Sequence, residues 1–213
     1  MKKKLISAFT LFAVILPMLS GFAFAVEPQV QVPVELTPVM VDSTTMTQAE
    51  INKEIERQVY VQISEQTGIP LRRVQDYYTT VIFPTKRQTV DGEVGNQVIG
   101  GYRFPTGGGF YYSDDGGPEV QVSFSASLTI PKLTLPVSVG VSLGIRSDTF
   151  GYSVDAPDKV NFYKLWVKKT LDITPVGVYR VPSNGAPVDS TCPLAYTMHS
   201  VEVISVEPYA KRV

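Results

Sequence analysis

The sequence predicts an α+β fold that is mostly β: a short N-terminal helical element followed by an antiparallel β-sandwich-like domain of about seven to nine strands. Two patterns support this prediction. Apolar residues recur every four positions between residues 47 and 67, and from Tyr77 onward apolar residues alternate with polar ones. Glycine and proline separate the alternating segments, as is typical of strands joined by turns.

The N-terminus of the 213-residue chain has the composition of a secretory signal peptide over residues 1–25. Three lysines precede an apolar stretch at residues 5–16, and Ala23 and Ala25 occupy the −3 and −1 positions of a cleavage site. A membrane anchor helix is the alternative, but the stretch is shorter than the ~20 apolar residues that span a bilayer. We therefore expect cleavage after Ala25, export through the general secretion route, and a secreted, extracellular protein.

Residues 26–46 are expected to form an extended, flexible N-terminal arm. Valine alternates with polar residues there, and Pro28, Pro33 and Pro38 limit pairing because proline has no N–H to donate to a neighbouring strand. One edge strand around residues 30–36 is compatible with this pattern. A single mostly-β domain is predicted to follow over residues 47–213.

That domain begins with a predicted helix over residues 47–67. Thr47 and Glu50 have the spacing of a capping box, and Gly68 provides a left-handed residue at which helices often end. A second short helix is predicted over residues 70–76. The apolar stripe of the first helix consists of Ile51, Ile55, Val59 and Ile63.

Further strands are predicted from runs of β-branched and aromatic residues. Asn184-Gly185 predicts a turn, and a change in the phase of alternation predicts a bulge near Ile204. The predicted strands cover residues 78–83, 96–104, 161–172, 176–181 and 194–206.

Residues 106–118 are predicted to form a flexible, glycine-rich loop. Phe110, Tyr111 and Tyr112 interrupt it, and an aromatic cluster on such a loop is a candidate binding tip. The alternative is that these rings fold back onto the core as a small lid. Asp114, Asp115 and Glu119 are favoured as solvated turn acids over calcium ligands or acid–base catalysts, because no calcium motif fits their spacing and the loop lacks rigid support.

The strongest pattern is unbroken alternation over residues 120–130 and 133–145. The apolar positions include Val120, Val122, Phe124, Leu128, Leu133, Leu135, Val137, Val139, Val141 and Leu143. The positions between them are mainly serine, threonine and glycine, and Lys132 is the one charged residue of the segment. The pattern predicts two long strands with one face in the core.

The same segment, residues 120–145, resembles the stem hairpins of β-pore-forming toxins such as the aerolysin-like family. The resemblance lies in composition and alternation. It implies that the apolar face contacts lipid while the uncharged polar face lines a wet lumen. Each half of the segment is long enough for a tilted strand to cross a bilayer.

A second candidate contact surface is centred on Trp166. Lys164 and Lys168 flank this tryptophan on the same face of a predicted strand, and such a face suits a glycan or an anionic surface. It equally suits an ordinary amphipathic face on which lysine stems cover the indole ring.

The composition excludes most catalytic and metal chemistry. Cys192 and His199 are the single cysteine and the single histidine, which leaves no internal disulfide, no structural zinc site and no supported catalytic triad. A net charge of −1 and the lack of a basic face argue against nucleic acid as a partner. We expect no cofactor.

Two functions are therefore compatible with the sequence. The first is a secreted, non-enzymatic binding or structural module that contacts a cell-surface glycan or another protein. The alternative is a membrane-active, β-pore-forming protein that uses residues 120–145.

Overall fold

The chain is described by a computed structural model over residues 33–38, 45–130, 132–182 and 185–213. The predicted signal peptide lies outside the described residues. Those described belong to one compact unit and are mostly β, with two helices and ten strands. Neither helix of this described part is long and apolar enough to cross a membrane.

The elements follow one another from an N-terminal strand to a long C-terminal hairpin. Their bounds are β1 Val34–Glu35, α1 Gln48–Thr67, α2 Leu71–Val74, β2 Tyr78–Ile82, β3 Lys86–Glu93, β4 Gly109–Ser113, β5 Glu119–Leu128, β6 Leu133–Ser142, β7 Ile145–Ser147, β8 Tyr152–Asp155, β9 Tyr163–Arg180 and β10 Leu194–Arg212.

The strands form three sheets, and the largest is built around β9. In this central sheet β10 lies on one side of β9, while β2 and β3 pair with successive parts of its other edge. These pairings are antiparallel, and β1 adds to β10 in parallel. The second sheet has the order β7-β4-β8, and the third is the β5–β6 hairpin, both with antiparallel pairing.

Helix α1 begins and ends where the sequence predicts. The side chain of Thr47 accepts a hydrogen bond from the Glu50 N–H, and the Glu50 carboxylate accepts one from the Thr47 N–H, so the predicted capping box is confirmed. Gly68 ends the helix with a φ of 72°. The stripe packs inward through Ile55, Val59 and Ile63.

Two hydrophobic cores lie on opposite faces of β9, because successive side chains of a strand point to opposite sides. Odd-numbered residues such as Leu165 and Leu171 belong to the first core, which they share with β5 and β6. Even-numbered Val176 and Val178 belong to the second core, which they share with α1. Leu36, in the segment predicted to be a flexible arm, is also buried in this second core.

Long-range pairing changes the predictions for β9 and for residues 96–104, while the bulge predicted in the last strand is present. Strand β9 is continuous from Tyr163 to Arg180, where the sequence predicts two separate strands, because β2, β3 and β10 pair along its whole length. The predicted strand at residues 96–104 is instead a loop in which Tyr102 forms an isolated bridge to Tyr163. The predicted bulge near Ile204 is confirmed by a register shift between Val203 and Ser205.

The burial of Leu36 ties the N-terminal arm to the folded unit, since its side chain is only 1% exposed. We expect Leu36→Ala to lower the free energy of unfolding by about 2–4 kcal/mol, because it removes buried methyl groups and leaves a cavity. Urea denaturation measures the change. The control is Val34→Ala, on a side chain that is 50% exposed, and we expect less than about 0.5 kcal/mol from it. Equal effects of the two variants would contradict this assignment.

His199 is the one histidine of the chain and is buried on β10, opposite Pro175. Burial lowers its pKa below 6.5, and the carboxylate of Glu35, whose oxygen lies 3.8 Å from the His199 Nδ1, opposes this effect. The folded protein therefore holds this imidazole in its neutral form more strongly than the unfolded chain does.

Stability is expected to decrease on mild acidification because of His199. As the pH falls below about 6.5, the unfolded chain takes up the proton first, so the free energy of unfolding falls until the pH reaches the lower pKa of the folded state. Carboxyl groups with a lowered pKa, such as Asp172, contribute at more acidic pH. Urea denaturation of His199→Gln between about pH 5 and pH 7 should show a flatter profile than wild type. A profile that stays parallel to that of wild type would refute this role.

Candidate functional site: the amphipathic hairpin and its anchor

The β5–β6 hairpin separates apolar from polar side chains along its whole length. Its apolar face is mostly buried in the first core, while Phe124 and Leu128 are half-buried and Val120 is 37% exposed. The buried residues of this face are Val122, Ala126, Leu133, Leu135, Val137, Val139 and Val141. The exposed residues of the other face are Gln121, Ser123, Ser125, Ser127, Thr134, Pro136, Ser138 and Gly140.

The polar face is uncharged from Val120 to Val141, apart from Lys132 in the turn. Its side chains hydrogen-bond with one another across the two strands. The hydroxyls of Ser123 and Ser138 lie 3.1 Å apart, and Ser138 also donates to the side-chain oxygen of Gln121 at 3.3 Å. The polar face is thus satisfied within the hairpin.

The backbone of the hairpin is likewise self-contained. The register runs without a shift from Glu119 opposite Ser142 to Leu128 opposite Leu133. Within the described part of the chain, neither strand pairs with the central sheet or with the β7-β4-β8 sheet. Side-chain packing, and not a shared ladder of hydrogen bonds, therefore holds the apolar face against the central sheet.

Glycines in left-handed conformations connect the base of the hairpin to its neighbours. Gly116 and Gly117 precede β5 with φ values of 71° and 96°, and Gly144 follows β6 with a φ of 76°. A side chain at Gly117 would meet the Gly144 carbonyl oxygen at 2.0 Å. Only glycine fits this close approach, so both connections turn within one narrow space.

A buried lysine anchors the base of β6 to the central sheet. Lys169 lies on β9 at a core-facing position, and its side chain is only 5% exposed. Its ammonium group forms an ion pair with Asp114 and donates a hydrogen bond of 2.6 Å to the Ser142 carbonyl oxygen. Lys169 is not among the site residues that the sequence predicts. The available signal was a charged residue in the apolar phase of β9, between Val167 and Leu171.

Tyr112 completes this anchor from the second sheet. Its hydroxyl donates a hydrogen bond of 2.7 Å to the same carboxylate oxygen of Asp114 that Lys169 contacts. Burial raises the pKa of Tyr112, and the neighbouring Asp114 raises it further. The phenol therefore stays protonated and acts as a donor. Strands β4 and β9 meet at the Asp114 carboxylate, and β6 joins them through the Lys169 ammonium.

The predicted loop is wrong for residues 109–113, whereas the alternative in which the rings fold back onto the core agrees with the burial of Phe110 and Tyr112. Residues 109–113 form strand β4 because they pair with β7 on one side and β8 on the other. Phe110 is 2% exposed and Tyr112 is fully buried, so neither ring is available at the surface in this conformation. Tyr111, which is 44% exposed, is the ring of the three that a partner can reach.

The predicted Trp166 surface lies on the outer face of the central sheet. Trp166 is half-buried, and the Lys211 ammonium lies 3.5 Å from the centre of its ring. Lys164 forms an ion pair of 2.8 Å with Glu93. Lys168 is exposed on the same face. The indole is thus covered by a lysine on one side, as the ordinary amphipathic face predicts.

The acidic residues near the glycine-rich segment take structural roles. Asp114 belongs to the anchor, and Asp115 accepts a hydrogen bond of 3.2 Å from the Ser113 hydroxyl. Among the described residues, no group of three or more histidine, cysteine, aspartate or glutamate side chains is placed to hold a metal ion.

The chain was compared with protein-family models, curated proteins and solved structures, and none of the three comparisons gives a significant match.

Two substitutions at this anchor are expected to change the free energy of unfolding by different amounts. Asp114→Ala leaves the Lys169 ammonium buried without its counter-charge, so we expect a loss of about 2 kcal/mol in the free energy of unfolding. Lys169→Met removes the buried charge itself and leaves a carboxylate that is 45% exposed, so we expect a change within about 1 kcal/mol. Urea denaturation distinguishes the two, and a larger loss in Lys169→Met than in Asp114→Ala would contradict the assignment.

Proposed function

We propose that this is an exported, non-enzymatic, membrane-active protein that works by releasing the β5–β6 hairpin and inserting it into a bilayer. One observation carries the proposal: an amphipathic hairpin, whose polar face is uncharged between Glu119 at its base and Lys132 at its turn, is held in the fold by its apolar side chains and shares no strand pairing with the rest of the described chain. We further propose that this hairpin and the central sheet form the two layers of a sandwich-like arrangement.

The length of the hairpin supports insertion. Each strand has ten residues, which at ~3.4 Å per residue extends over about 34 Å. A strand tilted by about 40° then spans about 26 Å, close to the apolar thickness that membrane strands cross. The hairpin is therefore long enough to span a bilayer without any change in its internal register.

The energetics of release also support the proposal. Burying one valine or leucine contributes about 1.5–3 kcal/mol, so removing the whole apolar face from the core into water is very unfavourable. The hydrocarbon of a bilayer restores the same apolar environment. Because the backbone pairing is internal to the hairpin, the transfer breaks few hydrogen bonds other than those at its base, such as that from Lys169 to the Ser142 carbonyl.

Free strand edges provide a route to a pore. One edge of each hairpin strand has no strand partner among the described residues, and a bilayer tolerates such edges only when they are paired. Hairpins from several copies can pair edge to edge, which places Ser123, Ser125 and Ser138 on a wet inner surface and the valine and leucine face toward lipid.

A binding or structural module remains the second candidate. Tyr111 is the observation that favours it, because this exposed ring lies next to two buried ones on a rigid strand. If the protein neither permeabilises vesicles nor forms oligomers, this candidate is the one to pursue.

Two neighbouring substitutions test the insertion proposal. Phe124 lies on the apolar face, with the Lys86 ammonium 4.8 Å from its ring centre, so glutamate at this position can pair with Lys86 in the soluble fold. In a bilayer the same charge would face lipid near the middle of the strand, at a cost below the about 2–4 kcal/mol of a lysine or arginine there, and this cost recurs in every copy of a pore. We therefore expect Phe124→Glu to abolish the release of dye from vesicles.

The matched control is Ser125→Glu, which places the same charge one residue away on the polar face. We expect this variant to keep dye release and to shift the selectivity of the pore toward cations, because the carboxylate lines the lumen. Urea denaturation establishes that both variants are folded. Dye release that persists in Phe124→Glu, or that disappears equally in both variants, would show that the hairpin does not insert in this orientation.

A further inference from the structure

One end of the central sheet carries an unusual concentration of exposed apolar side chains. Three segments meet there, residues 98–103, 158–163 and 211–213, and we call them the terminal loops. Their exposed apolar residues, with the exposed fraction of each, are Val98 (53%), Ile99 (92%), Val160 (70%), Phe162 (50%) and Val213 (63%).

Backbone hydrogen bonds hold the terminal loops together. The Gly101 N–H donates to the Val98 carbonyl at 3.1 Å and closes a turn with Ile99 at its tip. Tyr102 and Tyr163 exchange two hydrogen bonds of 2.8 Å, and the Val213 N–H donates to the Phe162 carbonyl at 3.0 Å. The apolar side chains therefore protrude from a supported surface.

Basic side chains belong to the same loops as these apolar tips. The terminal loops contain four exposed cations, and Arg103 is placed beside Lys159 by a hydrogen bond of 3.3 Å from its Nε to the Lys159 carbonyl. The acidic side chain of these loops is Asp158, which is turned into its own loop and accepts hydrogen bonds from the Val160 and Asn161 N–H groups. The cations are Arg103, Lys159, Lys211 and Arg212.

We propose that the terminal loops bind the surface of an anionic lipid bilayer. Protruding apolar side chains can enter the boundary between headgroups and acyl chains, and the surrounding cations can contact anionic headgroups. Separate protruding tips suit a soft, continuous surface, whereas a protein partner or a small ligand is commonly bound by a concave pocket or a packed flat patch.

This inference rests on the proposed function and extends it, because the hairpin base adjoins the same end of the sheet. Gly95, three residues before Val98, donates a hydrogen bond of 2.9 Å to the Gly144 carbonyl at the base of the hairpin. From there the hairpin extends toward Lys86, away from the terminal loops. A bilayer bound at the terminal loops would therefore lie close to the base about which the hairpin is released.

Co-sedimentation with vesicles tests the binding. Wild type is expected to bind vesicles of phosphatidylcholine mixed with phosphatidylglycerol, and to bind pure phosphatidylcholine vesicles far less. Replacing both apolar tips in Ile99→Ser/Phe162→Ser should weaken binding at least about tenfold. Arg103→Gln/Arg212→Gln should weaken it about fivefold per removed cation and reduce its dependence on salt.

The matched control is Leu71→Ser/Arg72→Gln, on exposed residues of α2 near the other end of β9, and it should bind like wild type.

Dye release measured on the same vesicles separates this proposal from the insertion of the hairpin. Phe124→Glu should still sediment with anionic vesicles although it releases no dye. If wild type binds, its terminal-loop variants lose binding, and wild type releases no dye, the insertion proposal fails and the binding proposal stands. If wild type releases dye and the terminal-loop variants bind as it does, the binding proposal fails and insertion stands. Wild type that neither binds nor releases dye would overturn both.

Discussion

The first hydrophobic core depends on how the β5–β6 hairpin is held: by apolar contact without strand pairing. Hydrophobic contact is strong but non-directional, so a different apolar surface can replace it. A ladder of backbone hydrogen bonds cannot be exchanged in this way, because each buried N–H and C=O group must find a new partner. Each strand of the hairpin pairs along one edge with the other strand, so the insertion that we propose requires new partners at the two outer edges alone.

The continuity of β9 makes such a reversal compatible with a surviving fold. Its odd-numbered residues contribute to the first core and its even-numbered residues Val176 and Val178 to the second. Loss of the hairpin exposes one face of β9 but leaves α1 and Leu36 packed on the other. Strands β2, β3 and β10 also keep their pairing with β9. The central sheet can thus remain folded while the hairpin changes its environment.

The sequence predicts the features that depend on residues close together in the chain. The capping box at Thr47, the alternation of the hairpin strands and the bulge near Ile204 all lie within a few residues of their own signal. Features that depend on pairing between distant strands, such as strand β4 with its aromatic residues, are not predicted. The burial of Phe110 and Tyr112 depends on strands β7 and β8, which the glycine-rich composition of this segment conceals, although the two rings already alternate with Tyr111.

Lys169 is a charged residue at a position of β9 that faces the core, where the alternation predicts an apolar side chain. A charge at a core-facing position costs free energy unless it is paired, and a buried ion pair seldom stabilises more than a well-packed apolar side chain would. The Lys169 ammonium contributes directional contacts, which fix a position, more than it contributes stability. It connects the Ser142 carbonyl at the hairpin base to Asp114 and to β9, whereas the apolar face alone could slide along the sheet. Apolar contact therefore holds the hairpin against the sheet, and the buried Lys169, together with the Gly95–Gly144 hydrogen bond, determines where its base is held.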